Sequence, residues 1–167
     1  VVDFARRASA SGLSVGTSGN LSMRVDDLIL ITPSGRDAAT TVPDDLCLVD
    51  ADGFQVEGEF RPSSELPMHL AVYRRTDAAA VVHTHSPYAT ALSVVLDELP
   101  AVHYTINGLG GPVRVAPYAT FGSAELADHL ARALDGRTAA ILQNHGTVAI
   151  GSTVRQDRKS TRLNSSH

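Results

Sequence analysis

AAAVVHTHSPYA, residues 78–89, is an apolar run interrupted by two histidines, His83 and His85, and closed by Ser86-Pro87. Its length and its small and β-branched residues predict a buried strand. On a strand, positions i and i+2 share a face, so His83 and His85 project together while Thr84 points the other way. Two imidazoles held close in a low-dielectric interior cannot both carry protons at low cost. A divalent cation removes that conflict by binding both neutral rings. Two core histidines satisfied by their neighbours would show the same spacing, so the pair alone leaves both readings open.

Working outward, a second apolar stretch, AAILQNHGTVAIG (139–151), breaks at His145 between Ile141-Leu142 and Val148-Ile150. Gly146 beside it permits backbone shapes that other residues resist. A histidine on such a bend is either bonded to local backbone or aimed into a cleft. Three histidines with an open fourth position are the pattern of a catalytic zinc rather than a closed structural one. Glu65 is the fourth candidate, in the first turn of a helix predicted from PSSELPMHLAVYRRT. Standing alone, it is explained by helix-dipole and capping chemistry. His69 lies one turn further on the same helix face and is placed to orient that carboxylate. His129 reads as exposed on a polar helix face, and His103 as structural.

The remaining pattern alternates strands and helices. A helix is predicted over VVDFARRASASG, closed at Gly12, then a hairpin from LSMRV to LILIT across Asp26-Asp27. PSGRDAATTVPDD is loop with one helical turn, and LCLVDADGFQVEG is strand, Asp-Gly turn, strand. PYATALSVVL and SAELADHLARAL predict helices, the second opened by Ser123, and VRVAP a short strand. Hairpins among helices imply a layered α/β domain with a mixed or mainly antiparallel sheet.

Composition narrows the function. The chain has 167 residues, 43% hydrophobic and 19% charged, which suits one domain with a sizeable core. A formal charge of −4 without a basic patch argues against a nucleic-acid partner. No apolar run reaches the roughly 18 residues of a membrane span, so no membrane partner is expected. Residues 1–12 lack the basic start and apolar centre of a signal peptide, and the absent initiator Met fits a trimmed or partial chain. Cys47 stands alone and fits a reducing compartment, here the cytoplasm, as a small buried hydrophobe. The only lysine is Lys159, within DRKSTRLNSSH (157–167), a polar stretch that coincides with one reading frame of a sequencing adapter. Residues 157–167 are therefore expected to be foreign to the gene, the domain to occupy 1–156, and the natural chain to continue beyond.

Three loops, GTSGN (16–20), TPSG (32–35) and PSSE (62–65), carry small residues and backbone donors suited to an anion. None is a nucleotide-hydrolase phosphate loop or a dinucleotide fingerprint. Each alone is an ordinary turn; together they suggest a phosphate or carboxylate pocket without lysine.

In order, GTSGNLSMR, ITPSG, RPSSELPMHLAVY, AVVHTHSPYATALS, AVHYTI, VAPYATFGSAELA and ILQNHGTVAIG resemble the class II aldolase/adducin family, from about Ala5 to Gly151. The resemblance implies a three-layer α/β/α sandwich around a mainly antiparallel central sheet. It implies one Zn2+ per chain on His83, His85, His145 and Glu65, the last also handling the substrate proton. It implies a phosphorylated sugar held at Gly19, Asn20, Ser34, Gly35, Ser63 and Ser64, with Tyr104 near the active site, in a homotetramer. A further tyrosine, which the family supplies across a subunit interface from its C-terminal segment, has no counterpart here.

The chemistry agrees with that likeness. Retro-aldol cleavage leaves an enolate and needs an electron sink. A lysine Schiff base is closed to a chain with no lysine before Lys159. A Lewis acid on three histidines is the other solution. The expected reaction is cleavage of an L-ketose 1-phosphate to dihydroxyacetone phosphate and an aldehyde. Glu65, where related 4-epimerases carry Asp, favours the aldolase branch over epimerases. Decarboxylases and dehydratases on the same site, and a non-catalytic adducin-like domain, are the alternatives.

Overall fold

The short, β-branched and alanine-rich runs predicted as strands assemble into one sheet in the computed structural model, which describes residues 1–152. The adapter-like stretch 157–167 lies outside the described residues. The strands are β1 (Asn20–Val25), β2 (Leu28–Ile31), β3 (Cys47–Val49), β4 (Gln55–Glu57), β5 (Ala80–Thr84), β6 (Glu98–Leu99), β7 (Val113–Ala116), β8 (Ala139–Leu142) and β9 (Gly146–Gly151). Their order is β4-β3-β2-β1-β5-β9-β8-β7-β6. Every pairing is antiparallel except β7 with β8. The helices are α1 (Val2–Ala10), α2 (Leu66–Arg75), α3 (Pro87–Ser93) and α4 (Ala124–Ala133).

Side-chain alternation along the central strands makes the three layers. Val81, Val148, Ile150, Ala140 and Leu142 point to one face and pack on Met68 and Val72 of α2 and on Leu126 and Leu130 of α4. The intervening residues point to the other face. There Ala80 and Val82 meet Ala5 of α1, and Ala139, Ile141 and Ala149 meet Ala89 of α3. This is the expected sandwich, with a mixed sheet. His83 shares the parity of Val81, so it points to the α2 face, opposite Val148 in the β5–β9 register.

Local chemistry accounts for the differences from expectation. The helix predicted over PYATALSVVL is regular only to Ser93. The Ser93 hydroxyl donates to Thr90 O and accepts from Asn144 N at 2.9 Å, which ties the helix end to the β8–β9 turn. At two residues, β6 is too short to leave a periodic signal. Residues Tyr104–Leu109 form a 3-10 helix, opened by His103 Nδ1 accepting from Thr105 N, so His103 has the structural role expected. Ser123 caps α4 as expected, accepting from Leu126 N at 3.1 Å. Glu65, expected in the first turn of α2, is its N-cap, and Ser63 Oγ accepts from Glu65 N inside the preceding turn. His129 is half-buried rather than exposed, its Nδ1 3.0 Å from Pro117 O. Among the described residues no helix is long and apolar enough to cross a membrane.

Candidate metal centre and anion pocket

Four chain segments converge at the C-terminal end of β5. His83 lies within the strand, and His85 follows it, its amide donating to Leu13 O at 2.9 Å. His145 comes from the three-residue turn between β8 and β9, in which Asn144 adopts φ 56°, a conformation asparagine tolerates. Gly146 is required there, since a Cβ would collide with the Thr84 carbonyl. Glu65 arrives from the N-terminus of α2. The Pro33–Pro62 bridge, with Ser34 N donating to Arg61 O and Ser63 N to Thr32 O, holds TPSG beside PSSE.

The four side chains close around one point. Their ligand atoms all lie within 4.8 Å of one another. His83 Nε2 is 3.0 Å from His85 Nε2 and 3.0 Å from Glu65 Oε2, and His145 Nε2 is 3.2 Å from Glu65 Oε1. The three rings sit edge to face, with centroids 4.8 to 4.9 Å apart. His83 Nδ1–H donates to Thr147 O at 3.0 Å, which turns the Nε2 lone pair inward.

The electrostatics suit a cation. Burial alone would raise the Glu65 pKa; the charge of His83 and contacts from His145, His83 and Asn20 outweigh it and hold the carboxyl far below the usual range. Burial first, then the charges of His83 and His145 against the opposing pull of Glu65, pushes His85 down to about 4. An imidazole so disinclined to protonate is a ready ligand. Glu65 Oε1 is buried without a hydrogen bond of good geometry despite its nearness to His145. An unsatisfied buried carboxylate oxygen facing imidazole nitrogens is a cost that a metal ion removes. Neutral nitrogens plus one carboxylate match the donor set that zinc takes in catalytic sites.

A cavity of about 350 Å³ opens beside this centre. Gly19, Asn20, Ser34, Gly35, Ser63 and Ser64 all line it, together with Glu65, His85 and His145. Among the described residues no lysine or arginine lines it, so the donors an anion would meet there are neutral hydroxyl, amide and backbone groups. Gly19, at φ 76°, passes so near the His83 carbonyl that a Cβ would stand 2.9 Å from it. The Asn20 amide is engaged at both ends: Nδ2 donates to Glu65 Oε2 at 2.8 Å, and Oδ1 is 2.6 Å from His69 Nε2. One Nδ2 proton is left for a ligand. His69 thus reaches Glu65 through Asn20 rather than directly.

Tyr104 is not brought to this cavity: it is 78% exposed and stacks near His103, with ring centroids 4.5 Å apart. Thr17, Ser18, Tyr118, Phe121 and Asn144, none of them among the expected site residues, also line the cavity. Thr17 and Ser18 stood within the quoted GTSGN loop, whereas no periodicity marks a loop aromatic such as Tyr118.

Known proteins place the geometry in context. The family described as Class II Aldolase and Adducin N-terminal domain matches residues 1–161. The 5-methylthioribulose-1-phosphate/5-deoxyribulose-1-phosphate aldolase of Rhodospirillum rubrum is 43% identical over 93% of this chain and 71% of its own length. The 5-deoxy-D-ribulose 1-phosphate aldolase of Bacillus thuringiensis is 44% identical over 93% of this chain and 74% of its own. A solved L-fuculose 1-phosphate aldolase superposes with a TM-score of 0.92 at 40% identity, covering 96% of this chain and 77% of that one. The extent of those matches and the layered fold agree: the chain belongs to the class II aldolase and adducin family, on the side of its metal-dependent lyases.

Proposed function

We propose that the chain is a zinc-dependent aldolase that cleaves an L-ketose 1-phosphate of the fuculose-phosphate type, or a near relative, to dihydroxyacetone phosphate and an aldehyde. The observation that carries this reading is that Glu65, His85 and His145 form one wall of the cavity, with His83 buried directly behind them, while the serine and glycine loops form others. Having both in one cavity suits a substrate with a phosphate at one end and vicinal oxygens at the other.

His83, His85, His145 and Glu65 would hold the ion. Zinc, when bound, supplies a Lewis acid that takes up the negative charge of carbon–carbon cleavage. The chain's own residues do the rest. Ser34, Ser63 and Ser64, with the backbone at Gly19 and Gly35, receive the phosphate and fix the register of the sugar. Thr147 O keeps His83 in one tautomer. Glu65 Oε1, which has no hydrogen bond of good geometry, is the oxygen placed to carry the proton at the carbon next to the carbonyl. Tyr104 lies away from the cavity of its own chain, so a catalytic part for it requires a second subunit. A homotetramer, which we place in the cytoplasm, would supply that subunit.

The test is release of dihydroxyacetone phosphate from L-fuculose 1-phosphate and from 5-deoxyribulose 1-phosphate by zinc-loaded protein, with sugar-acid phosphates as controls. Cleavage of either ketose phosphate, abolished by a chelator and restored by zinc, is the expected result. Carbon dioxide release from a sugar-acid phosphate with no aldol cleavage would overturn it in favour of a decarboxylase.

A further inference from the structure

Behind Glu65 runs a buried chain of hydrogen bonds whose direction the carboxylate dictates. A carboxylate only accepts, so Asn20 presents Nδ2 to Glu65 Oε2 across 2.8 Å. Asn20 Oδ1 then faces His69 Nε2 at 2.6 Å, and only an N–H on that nitrogen can meet it. A neutral imidazole carries one N–H, so His69 Nδ1 is bare and accepts from Ser22 Oγ at 2.6 Å. Ser22, having given its proton, accepts from Tyr73 OH at 2.8 Å. Every donor from Tyr73 to Asn20 therefore points toward Glu65. Ser22 and His69 are fully buried, and Asn20 is 6% exposed. Burial, then the charge of His83, opposed in part by Glu65, pushes His69 down to about 3 and keeps its ring neutral. Turning the chain round would set the Asn20 oxygen against the carboxylate, a repulsion that low dielectric magnifies.

We propose that His69 is a positioning residue which, through Asn20, holds Oε2 of Glu65 beside His83 and so sets the carboxylate plane in which Oε1 faces His145, ready for the ion and the substrate proton. The proposal rests on the aldolase reading of the site. It differs from a packing role for a core histidine, because packing has no stake in which ring nitrogen carries the proton. It also explains why β1, a core strand, spends a serine at a fully buried position: Ser22 selects the tautomer.

The test uses the full chain carrying cobalt(II), whose visible absorption reports the ligand field, and three variants. Gln at 69 sets its amide near the Nε2 position and keeps the donor to Asn20. Asn at 69 sets its amide near Nδ1 and keeps only the link to Ser22, and Leu keeps neither. Expected are cobalt binding weakened by about 10–100-fold in H69L and H69N, with shifted bands, and near-normal affinity and spectrum in H69Q. In the zinc-loaded enzyme kcat should fall by a similar factor in H69L and H69N and stay near the wild-type value in H69Q. If H69L fails to fold, the contrast between Gln and Asn decides. H69N equal to H69Q in cobalt affinity and spectrum would overturn the proposal while leaving the metal site intact. A wild-type chain that binds no cobalt would overturn the metal reading and this one with it.

Discussion

Glu65 Oε2 lies 3.0 Å from His83 Nε2, although the first residue opens a helix and the second sits in a central strand. The contact favours an ionised Glu65, but a plain ion pair in so dry a place is costly to build. Both are nearly dry, and burying a carboxylate beside an imidazole costs more than a screened surface pair returns. The arrangement makes sense as a ligand set whose charges an incoming cation completes.

Replacement of Glu65 separates its two duties. Glu65→Gln keeps the shape and a neutral ligand oxygen but removes the base. It should lower kcat by about 10²–10⁴-fold, the usual worth of a general acid–base group. Steady-state kinetics with the protein's zinc content measured alongside provides the check. A variant that keeps full zinc and full kcat would remove Glu65 from the proton path.

The sequence disclosed this site unevenly, for physical reasons. His83 and His85 were legible because a two-residue period on an apolar strand leaves one geometric reading, and His145 because it broke an otherwise buried run. The anion loops were legible as small-residue clusters. Glu65 was not separable from a helix-start carboxylate by pattern; family likeness supplied it. The sequence marks Asn20 only as an anion contact, since no spacing rule shows that its amide spans His69 and Glu65 from 49 and 45 residues away. The sandwich followed from alternating elements, whereas β6 and the 3-10 helix at Tyr104–Leu109 depend on tertiary contacts that leave no period.

Metal-free protein should lose stability as pH falls. His69 and His85 stand at about 3 and about 4 in the folded chain against 6.5 as the ordinary value. Between those limits the unfolded chain binds protons that the folded chain refuses, so stability is fully present above about 6.5 and drains as pH drops toward 4. The slope approaches about 1.4 kcal/mol per pH unit for each such histidine. Glu65, held low, adds loss in the same direction below the ordinary carboxylate range. Urea melts in chelator from pH 8 to pH 4.5 measure this, and a flat profile would contradict the buried neutral rings. Zinc should raise the whole curve near neutrality and steepen it, because protons compete for its ligands.

Loss of a phosphate donor should act on binding. Ser63 and Ser64 face the cavity with no lysine or arginine beside them among the described residues, so each hydroxyl should matter more than it would beside an arginine. Ser64→Ala should raise KM about tenfold or more, the worth of a hydrogen bond to a charged group, with kcat little changed. Inorganic phosphate should inhibit the wild type competitively and this variant less. A large fall in kcat at constant KM would place Ser64 in the chemistry instead.

Gly146→Ala tests the backbone that aims His145. The added Cβ would meet the Thr84 carbonyl and stand 3.3 Å from His83 Cε1, so β5 or the turn has to give way. Overpacking of this kind costs about 1–3 kcal/mol. Here it should also loosen zinc, because the shift moves one histidine ligand against another. Thermal melts with and without zinc distinguish the two effects: a larger loss in the zinc-loaded form is expected, and equal losses would mean strain without effect on the site.

Tyr104 offers a test of the assembly. Its side chain is 78% exposed and absent from the cavity lining of its own chain, so any catalytic role must be played in a neighbour's site. Tyr104→Phe should then lower kcat while leaving zinc binding and the fold untouched. Mixing it with a second inactive variant, Glu65→Gln, supplies the decisive arm. In a mixed oligomer some sites combine an intact Glu65 from one subunit with an intact Tyr104 from another, and activity should return to a fraction set by the mixing ratio. Two inactive variants that stay inactive after subunit exchange, verified by mass spectrometry of the mixed assemblies, would exclude a shared site.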